Sequence, residues 1–242
     1  MAVDEVSEKA PNDLVTVADR EAERLISLGL REILDVPVVG EESATDDPSL
    51  LAAVGTAEMC WLVDPIDGTA NFAAGRPEYT VIVALICAGE PVAGWIFVPE
   101  TGQIYVAEQG SGAFRDDTQI KRAPPAAEVA RLRGAVPTRR LDPPGRAWLV
   151  EMTGRFADLG PGARCAGVNY TQMVDGILDF VLNQRSFPWD HAAGVVLLAE
   201  VGGVSLRPDG TRYRLAEKPH NRLLNAVTLN CWAAVQTTLW AR

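Results

Sequence analysis

The order of apolar and polar positions divides the chain into helical and strand-like segments. Apolar residues recur at helical spacing up to about Leu34, and either Asp13 or Thr16 can cap this helix. The predicted buried stripe of the helix consists of Val17, Ala22, Leu25, Ile26, Leu30 and Ile33. From Met59 onward, apolar runs between Gly- and Pro-bearing turns predict strands over 80–87, 92–97 and 104–107. The first half is therefore expected to be an antiparallel sheet packed on helices.

The second half alternates between strand-like and helix-like segments. Strands are predicted over 148–152, 177–182, 204–206 and 226–229, and helices over about 169–174, 190–200 and 231–240. Between Arg122 and Arg146 five prolines accumulate with six arginines, which is typical of a connection. We therefore predict an N-terminal α+β lobe over 1–122, a connection over 123–146 and a C-terminal α/β lobe over 147–242.

Composition and charge narrow the class of protein. The chain has 242 residues, of which 48% are hydrophobic, so it can bury a substantial core. Its net charge of −10 disfavours broad binding to nucleic acid or to anionic membranes. The N-terminus lacks the apolar core of a signal peptide, and the apolar run 81–88 is too short to span a bilayer. The four cysteines are widely scattered, which predicts reduced thiols in a cytoplasmic protein. They are Cys60, Cys87, Cys165 and Cys231.

Two carboxylates lie three positions apart where an apolar run ends. Asp64 and Asp67 follow the strand-like segment that begins at Met59, and Pro65 between them favours an extended conformation for Asp64. Gly68 allows the backbone to approach a ligand, and Thr69 can begin a helix. Oxygen ligands without Cys or His partners favour Mg²⁺, Mn²⁺ or Ca²⁺ over zinc. The same residues also fit an ordinary turn.

Acidic side chains occupy comparable places in two other segments. A short strand is predicted over 36–39, and Glu41 and Glu42 follow its end. Asp190 precedes the apolar helical stretch 192–198. Each acid alone also fits a structural role, because loop acids are solvated and Asp is a good helix cap.

Together these motifs resemble those of the inositol monophosphatase family of Mg²⁺-dependent phosphatases. The motifs are Gly-Glu-Glu at 40–42, Asp-Pro-Ile-Asp-Gly-Thr at 64–69, Trp-Asp at 189–190 before an Ala-Ala-Gly helix, and Glu-Val-Gly-Gly at 200–203. The resemblance covers most of the chain and is weakest from about Ala123 to Arg164. It implies an α+β or α/β fold, a layered αβαβα sandwich of the inositol monophosphatase and sugar phosphatase type.

The resemblance also implies which residues bind metal. It assigns two or three Mg²⁺ ions, with Mn²⁺ as a substitute. The ligands it implies are the carboxylates of Glu41, Asp64, Asp67 and Asp190 and the carbonyl of Ile66. Glu42 is expected to support this site.

Further roles follow from the same resemblance. Gly68 and Thr69 match a turn whose amides bind phosphate, together with Asp67. Thr69 and Asp19 match a pair that polarises the attacking water, beside the catalytic Glu41 and Asp67. The segment 9–19 is similar to an N-terminal loop near the metals, which places Lys9 near a third metal.

Two departures from the family concern the substrate and the N-terminus. Inositol-hydrolysing members carry a Gly-Ser-Ala-Ala segment where this chain has Gly-Val-Asn-Tyr at 167–170. They also carry an acid six positions before the Trp of Trp-Asp, where this chain has Asn183. A preference for myo-inositol is therefore not expected, and Asn169, Asn183 and Arg185 are candidate substrate contacts. About twelve residues precede Asp13, whereas members usually have a full helix there, so either this helix is absent or the start codon is assigned too late. Loss of the helix is expected to uncover apolar surface on neighbouring elements.

Three functional hypotheses follow. The leading hypothesis is Mg²⁺-dependent hydrolysis of a small phosphate monoester, such as a sugar, polyol or inositol phosphate, by a homodimer. The alternatives within the resemblance are a 3′-phosphoadenosine nucleotidase, a histidinol-phosphate phosphatase or a fructose-bisphosphate phosphatase. Outside it stands a binding or regulatory protein with the same fold.

The histidines are not expected to act as ligands. His191 follows Asp190 directly, and adjacent helical residues face different sides, so packing or hydrogen bonding is expected. His220 has no partner motif. The chain also lacks the Gly-x-Ser-x-Gly elbow of a serine hydrolase.

Overall fold

Fourteen strands and eight helices build the described part of the chain. The computed structural model describes residues 6–10, 13–139, 141–216 and 221–240, with side chains from Thr16 onward. The strands are β1 Val6–Ala10, β2 Asp13–Thr16, β3 Val38–Gly40, β4 Met59–Asp67, β5 Thr80–Cys87, β6 Glu90–Val98, β7 Gln103–Glu108, β8 Gly112–Arg115, β9 Thr118–Gln119, β10 Arg133–Ala135, β11 Asp158–Gly160, β12 Phe180–Asn183, β13 Val204–Leu206 and β14 Leu223–Ala226. The helices are α1 Val17–Ile33, α2 Glu41–Asp46, α3 Ala52–Thr56, α4 Thr69–Ala73, α5 Pro143–Thr153, α6 Ala166–Val174, α7 Pro188–Glu200 and α8 Leu229–Trp240, and short 3-10 helices cover Pro48–Leu51 and Val129–Arg131.

The strands pair into three sheets. A seven-stranded sheet has the order β3-β4-β5-β6-β7-β8-β9, in which β3 is parallel to β4 and all other neighbours are antiparallel. A five-stranded sheet has the order β11-β10-β12-β14-β13, with β10 parallel to both of its neighbours. The hairpin of β1 and β2 forms a separate two-stranded sheet.

The seven-stranded sheet is covered on both faces. Alternate residues of β5, namely Ile82, Ala84 and Ile86, are buried in the core that contains residues of α6 and α7. On the opposite face, Leu30 of α1 packs with Trp61 and Val63 of β4. This alternation follows from the period of two in a strand, which directs successive side chains to opposite faces.

The five-stranded sheet is also covered on both faces. Val181 of β12 belongs to the core shared with α6 and α7, whereas Phe180 and Leu182 pack in a second core with residues of α5 and α8. The layers are therefore α1, the seven-stranded sheet, α6 with α7, the five-stranded sheet, and α5 with α8. This arrangement confirms the predicted αβαβα sandwich.

A glycine sets how closely the central helix lies on its sheet. A Cβ built on Gly94 of β6 would lie 2.5 Å from Cα of Ala193 in α7, closer than such atoms approach. The absence of a side chain therefore allows backbone-to-backbone packing between β6 and α7.

The predicted strand over 148–152 is wrong, because this segment lies in helix α5. Asp142 caps the helix, its Oδ1 accepting a hydrogen bond from the Gly145 amide at 2.8 Å, and Pro143 is its first residue. Proline is favourable in the first turn, where its missing N–H has no helical partner. Some of the prolines attributed to a connection therefore begin a helix. The range 123–146 also contains β10, whose Gly134 and Ala135 are buried, while the division into lobes stays a prediction.

The prediction for α1 is right in position and wrong in its buried stripe. Thr16 caps the helix, whereas Asp13 lies in β2. Val17, Leu25 and Ile33 are exposed by 63%, 55% and 76%, so only part of the apolar face is buried. The buried positions of α1 include the acids Asp19 and Glu23 instead. Several apolar side chains of α1 are therefore exposed.

Smaller differences concern strand ends and cysteines. β12 begins at Phe180 rather than Ile177, and the last strand ends at Ala226, before the start of α8 at Leu229. All four cysteines are free thiols, and three are buried, whereas Cys87 is half-buried. Among the described helices, none combines the length and hydropathy needed to cross a membrane.

Candidate metal and phosphate site

Three carboxylates from distant parts of the chain converge at the end of strand β4. Glu41, Asp64 and Asp190 each offer a carboxylate oxygen, and these oxygens all lie within 4.8 Å of one another. The register of parallel strands β3 and β4 pairs Gly40 with Val63, so the residues that follow, Glu41 and Asp64, emerge at one sheet edge. Asp190 reaches the same place from the first turn of α7. The predicted convergence of these three acids is therefore present in the structure.

The environment of Asp64 fits a divalent cation. Asp64 is buried, and within the described residues its Oδ1 has no hydrogen-bond partner. Burial raises the pKa of Asp64 well above its usual value, and the charge of Glu41 raises it further. A hard cation between the carboxylates would supply the missing partner and remove their repulsion. The residues present therefore fit Mg²⁺.

Asp67 lies beside this cluster and is fixed by a set of donors. Its Oδ2 accepts hydrogen bonds from the Gly167 amide at 2.6 Å, the Cys165 thiol at 3.0 Å and the Thr80 hydroxyl at 3.3 Å. Burial raises the pKa of Asp67, and these hydrogen bonds oppose the shift. Asp67 lines the same cavity as Glu41 and Asp64. Its carboxylate can therefore contact a ligand in that cavity in a fixed orientation.

Thr69 and Asp19 are brought together as expected. The Thr69 hydroxyl lies 3.1 Å from Asp19 Oδ1 and 3.0 Å from the carbonyl oxygen of Ile66. Asp19 is held in turn by the capping box of α1, because its Oδ2 accepts hydrogen bonds from the Thr16 amide and hydroxyl. The buried Asp19 can therefore orient the Thr69 hydroxyl beside the metal-binding acids.

Gly68 turns the chain from β4 into α4. Its φ of +89° lies in the left-handed region, and a Cβ there would lie 2.8 Å from the carbonyl oxygen of Glu78. Glycine is therefore required by both conformation and space. Gly68, Thr69 and Ala70 line a cavity of about 430 Å³ together with the carboxylates. This places the predicted phosphate-binding turn next to the acids.

A second cavity, of about 170 Å³, continues from the first. The two share Asp67, Asp190, Arg139 and Arg164. The second cavity is also lined by the three residues predicted as substrate contacts, Asn169, Asn183 and Arg185. The structure therefore places all three beside the acids.

Asn169 has a structural partner as well. Its Oδ1 accepts a hydrogen bond from the Ala163 amide at 3.0 Å, which holds the turn before α6. The stretch 167–170 does not face the cavity as a unit, because Tyr170 is fully buried. The cavity is lined from this region by Cys165, Ala166 and Asn169.

His191 has the packing role predicted for it. Its Nδ1 lies 3.0 Å from the Tyr170 hydroxyl and its Nε2 lies 3.2 Å from the carbonyl oxygen of Arg185. Burial lowers the pKa of His191 to about 4, so the ring is neutral near pH 7. A neutral ring can donate from Nε2 to the carbonyl and accept at Nδ1. His191 thereby fixes the backbone of Arg185.

Glu23 is a site residue that sequence reasoning missed. Its carboxylate oxygens accept hydrogen bonds from the amides of Glu42 at 2.7 Å and Ser43 at 3.0 Å, in the first turn of α2. This contact holds the helix that begins with Glu41. The signal was the spacing of Asp19 and Glu23, two acids four positions apart on a helix, which share a face. Glu42 is buried, in agreement with a supporting role.

Other missed residues are Thr80 and Cys165, which hold Asp67, and the cavity arginines Arg139 and Arg164. The bonds to Asp67 span up to a hundred positions in sequence, and no local pattern marks them. Lys9 lies in strand β1 of a hairpin rather than in the expected loop. Its side chain and the whole of His220 lie outside the described residues, so the role of Lys9 stays a prediction.

Comparison with known proteins agrees with this geometry. The model of the inositol monophosphatase family matches residues 1–236. Inositol-1-monophosphatase ImpA of Mycolicibacterium smegmatis is 32% identical over 212 residues, covering 83% of this chain and 72% of the relative. A fructose-1,6-bisphosphatase/inositol-1-monophosphatase of Thermotoga maritima is 31% identical over 215 residues, covering 84% and 75%.

Solved structures share the fold. The extragenic suppressor protein suhB of Bartonella henselae superposes with a TM-score of 0.82 at 26% identity, covering 97% of this chain and 88% of that one. An IMPase/NADP phosphatase complexed with Mg²⁺ and phosphate gives a TM-score of 0.83 at 19% identity, covering 99% and 88%. Fold and relatives together define a phosphoric monoester hydrolase that acts on small phosphate esters. The chain belongs to the inositol monophosphatase family.

Proposed function

We propose that this enzyme hydrolyses a small phosphate monoester, such as a sugar, polyol or inositol phosphate, in a reaction that depends on Mg²⁺. Two observations carry the proposal: carboxylate oxygens of Glu41, Asp64 and Asp190 lie within 4.8 Å of one another, and Oδ1 of the buried Asp64 has no hydrogen-bond partner among the described residues. Three carboxylates this close repel one another unless cations lie between them. The proposed metal set is these three acids with Asp67 and the carbonyl of Ile66.

Bound divalent cations supply charge neutralisation for the phosphoryl oxygens, a lowered pKa for an attacking water and support for the departing alkoxide. Each step also needs orientation by the protein. Gly68 and Thr69 bind the phosphoryl group through their amides, at the turn that Gly68 makes. Glu41 and the Thr69 hydroxyl hold the attacking water, and Asp19 orients that hydroxyl from 3.1 Å. The water attacks phosphorus in line and gives a proton to the Thr69–Asp19 pair, while the bond from phosphorus to the ester oxygen breaks and the departing alkoxide takes a proton from solvent water. No covalent enzyme intermediate forms.

The second cavity receives the leaving group. It opens from Asp67 and Asp190 toward Asn169, Asn183 and Arg185, so a leaving alkoxide near the acids extends into it. The Asp67 carboxylate, held by three donors, stands between the two cavities. Asp67 can therefore contact both the cation and the substrate.

The number of ions and the assembly belong to the proposal as well. We expect two or three Mg²⁺ ions, and Mn²⁺ to replace them. We also expect a homodimer, for which the family resemblance is the support, and a cytoplasmic location, for which the scattered cysteines are the support. Analytical ultracentrifugation of the purified protein tests the dimer, and a monomer at micromolar concentration would contradict it.

The test of the reaction is phosphate release from a panel of monoesters. The panel contains inositol 1-phosphate, glycerol 2-phosphate, fructose 1,6-bisphosphate, histidinol phosphate and adenosine 3′,5′-bisphosphate, each assayed with Mg²⁺ and with Mg²⁺ plus Li⁺. We expect release that EDTA abolishes and that Mg²⁺ or Mn²⁺ restores. Release that persists in EDTA, or none from any ester, would contradict the proposal.

A further inference from the structure

A buried arginine contacts the loop that connects β12 to α7. Arg207 directly follows β13 and is only 6% exposed. Its Nη1 donates a hydrogen bond to the hydroxyl oxygen of Ser186 at 2.8 Å. Ser186 is 1% exposed and lies within the loop 184–187, between the end of β12 and the start of α7. The contact therefore joins two segments that are 21 positions apart in sequence.

Tyr213 holds the same serine from a second side. Its hydroxyl donates to the carbonyl oxygen of Ser186 at 3.3 Å. Its ring packs against Arg207, whose guanidinium carbon lies 4.9 Å from the ring centre, and the negative face of the ring stabilises the cation. The side chain and the backbone of Ser186 are thus both fixed. We call Ser186, Arg207 and Tyr213 together the Ser186 clamp.

A tight turn brings Arg207 and Tyr213 into contact. The Arg207 amide donates to the carbonyl oxygen of Thr211 at 2.8 Å. Asp209 Oδ1 accepts hydrogen bonds from the amide of Thr211 at 2.9 Å and from its hydroxyl at 2.6 Å. An aspartate that binds the backbone two residues further on is typical of a stable turn. The clamp is therefore built on a turn that has hydrogen bonds of its own.

The loop that the clamp holds forms part of the wall of both cavities. Gln184 and Arg185 line the second cavity, and Phe187 lines the first. Ser186 and Arg207 line neither cavity. An effect of Arg207 on a substrate therefore passes through the residues on either side of Ser186.

The choice of an arginine at this buried place indicates a directional role. Burial removes the guanidinium from water, so its N–H groups need acceptors. Besides Ser186, Nη1 of Arg207 donates to the carbonyl oxygens of Asn221 at 3.1 Å and Arg222 at 3.0 Å. An apolar side chain of similar size would fill the space without this cost, since such replacements are often neutral or stabilising. The arginine instead ties Ser186 to the backbone that leads into β14, the strand paired with β12.

The metal-binding acids are held by other contacts. Asp190 lies in the first turn of α7, and this helix packs directly on β6 where Gly94 faces Ala193. Glu41 and Asp64 are positioned by the pairing of β3 with β4. Loosening of the loop 184–187 is therefore expected to move the wall of the second cavity and to leave the three acids in place.

We propose that Arg207 is a positioning residue for recognition of the leaving group. With Tyr213 it holds Ser186, and it thereby fixes Gln184 and Arg185 in the wall of the second cavity. The inference rests on the proposed function, since it assumes that the leaving group enters this cavity.

A comparison of two esters tests the proposal. The first is the ring-containing ester of the panel with the highest kcat/KM, and the second is ethyl phosphate, which offers the second cavity only two carbon atoms. In Arg207→Gln we expect KM for the ring ester to rise about tenfold with kcat nearly unchanged, because contacts to a displaced wall are lost in the ground state and the transition state alike. We expect kcat/KM for ethyl phosphate to change less than about twofold.

Two conservative variants carry the test if Arg207→Gln does not fold. Ser186→Ala and Tyr213→Phe each remove one hydroxyl and keep the packing, and we expect KM for the ring ester to rise about fivefold in each. The double variant of Ser186→Ala and Arg207→Gln should be no worse than Arg207→Gln alone, because both substitutions break the same hydrogen bond. The matched control is Arg214→Gln, which removes a positive charge from an exposed residue of the same connection that lines neither cavity.

Two further measurements separate positioning of the loop from a general structural role. The Mg²⁺ concentration for half-maximal activity should stay at the wild-type value in the clamp variants. Hydrogen exchange should become faster over 183–187 than in Arg214→Gln, with no change over 192–200 of α7. Faster exchange throughout α7, or a changed Mg²⁺ requirement, would contradict the positioning role.

Two kinetic results would overturn the inference and leave the phosphatase intact. One is an unchanged KM for the ring ester in the folded clamp variants, and the other is an equal loss of kcat/KM for the ring ester and ethyl phosphate. If the wild-type protein releases phosphate from no ester in the presence of Mg²⁺, the proposed function itself fails and this inference fails with it.

Discussion

The acidic edge of the site, formed by Glu41, Asp64 and Asp190, and the second cavity, which is lined by arginines, are built in different ways. Glu41 follows β3, Asp64 lies in the parallel neighbour β4 and is almost fully buried, and Asp190 lies in the first turn of the buried helix α7. The arginines Arg139, Arg164 and Arg185 lie on loops, and Arg139 and Arg164 are exposed. Strand ends fix positions closely, whereas loops tolerate change. If the proposed roles are right, the reaction depends on residues positioned by the sheet and by α7, and substrate choice depends on residues of the loops.

Replacement of a buried acid is the largest test of this comparison. Asp64→Asn removes one charge from the cluster, so we expect kcat/KM to fall about a thousandfold, because metal-assisted stabilisation of several kcal/mol is lost. The same variant should unfold at a higher temperature than the wild type without Mg²⁺, since repulsion among buried carboxylates is relieved. Calorimetry and steady-state kinetics measure the two effects. Asp117→Asn, on an exposed loop, is the control.

Wild-type turnover in Asp64→Asn would contradict the proposed role of the acidic edge. The unfolding temperature in the presence of Mg²⁺ gives a second measurement on the same variant. Mg²⁺ should raise the unfolding temperature of the wild type, by a stabilisation of about 3 kcal/mol at a hundred times its dissociation constant. We expect little of this stabilisation in Asp64→Asn.

Substitution of Glu23 tests whether the position of Glu41 in the acidic edge depends on support from α1. Glu23→Gln keeps the size of the side chain and weakens its hold on the amides of Glu42 and Ser43. We expect the Mg²⁺ concentration for half-maximal activity to rise about 10- to 100-fold, as for other residues that orient metal ligands. A drop in kcat at saturating Mg²⁺ with no change in Mg²⁺ dependence would contradict this positioning role.

Cys165 offers a smaller and more specific test. The Cys165 thiol donates to Asp67 Oδ2 at 3.0 Å, so Cys165→Ala removes one of the donors that fix this carboxylate. We expect kcat/KM to fall about tenfold, since a hydrogen bond to a charged group is lost. Cys165→Ser, which keeps a donor, should recover most of the activity. Equal activity of the two variants would show that the thiol acts only by filling space.

The smallest expected effect is on the loop side of the comparison. Asn183→Asp places a carboxylate in the second cavity, at the position where inositol-hydrolysing relatives carry an acid. We expect the ratio of kcat/KM between fructose 1,6-bisphosphate and glycerol 2-phosphate to fall about fivefold, because a carboxylate in this cavity repels a leaving group that carries a second phosphate. Unchanged selectivity would remove Asn183 from the substrate contacts.

The sequence predicts the acidic edge better than its surroundings, and the reason is physical. Glu41, Asp64 and Asp190 can be recognised from their positions in the sequence, because the first two follow apolar, strand-like runs and the third precedes an apolar helical stretch. The donors to Asp67 carry no such mark, because Gly167 lies a hundred positions away and is brought near only by the tertiary fold. The carboxylate of Asp67 could thus be recognised from the sequence, but not what orients it.

Helix α5 and the apolar stripe of α1 show the same limit for the fold. The run Trp148-Leu149-Val150 is apolar enough for a strand, yet Asp142 and Pro143 begin a helix there and leave Val150 exposed. In α1, helical spacing located the helix, but whether Leu25 is covered depends on neighbours that its own period does not reveal. Local pattern therefore gave the elements more reliably than it gave their partners.

The contact between Gly94 and Ala193 reaches further than the core in which it lies. Helix α7 rests directly on β6 there, and the same helix carries Asp190 three residues earlier. The absence of a side chain at Gly94 thus sets how far the carboxylate of Asp190 lies from those of Glu41 and Asp64. The separation of the three carboxylates therefore depends on packing in the hydrophobic core. A bulkier residue at position 94 would push α7 away from β6 and move Asp190 without replacing any of the three acids.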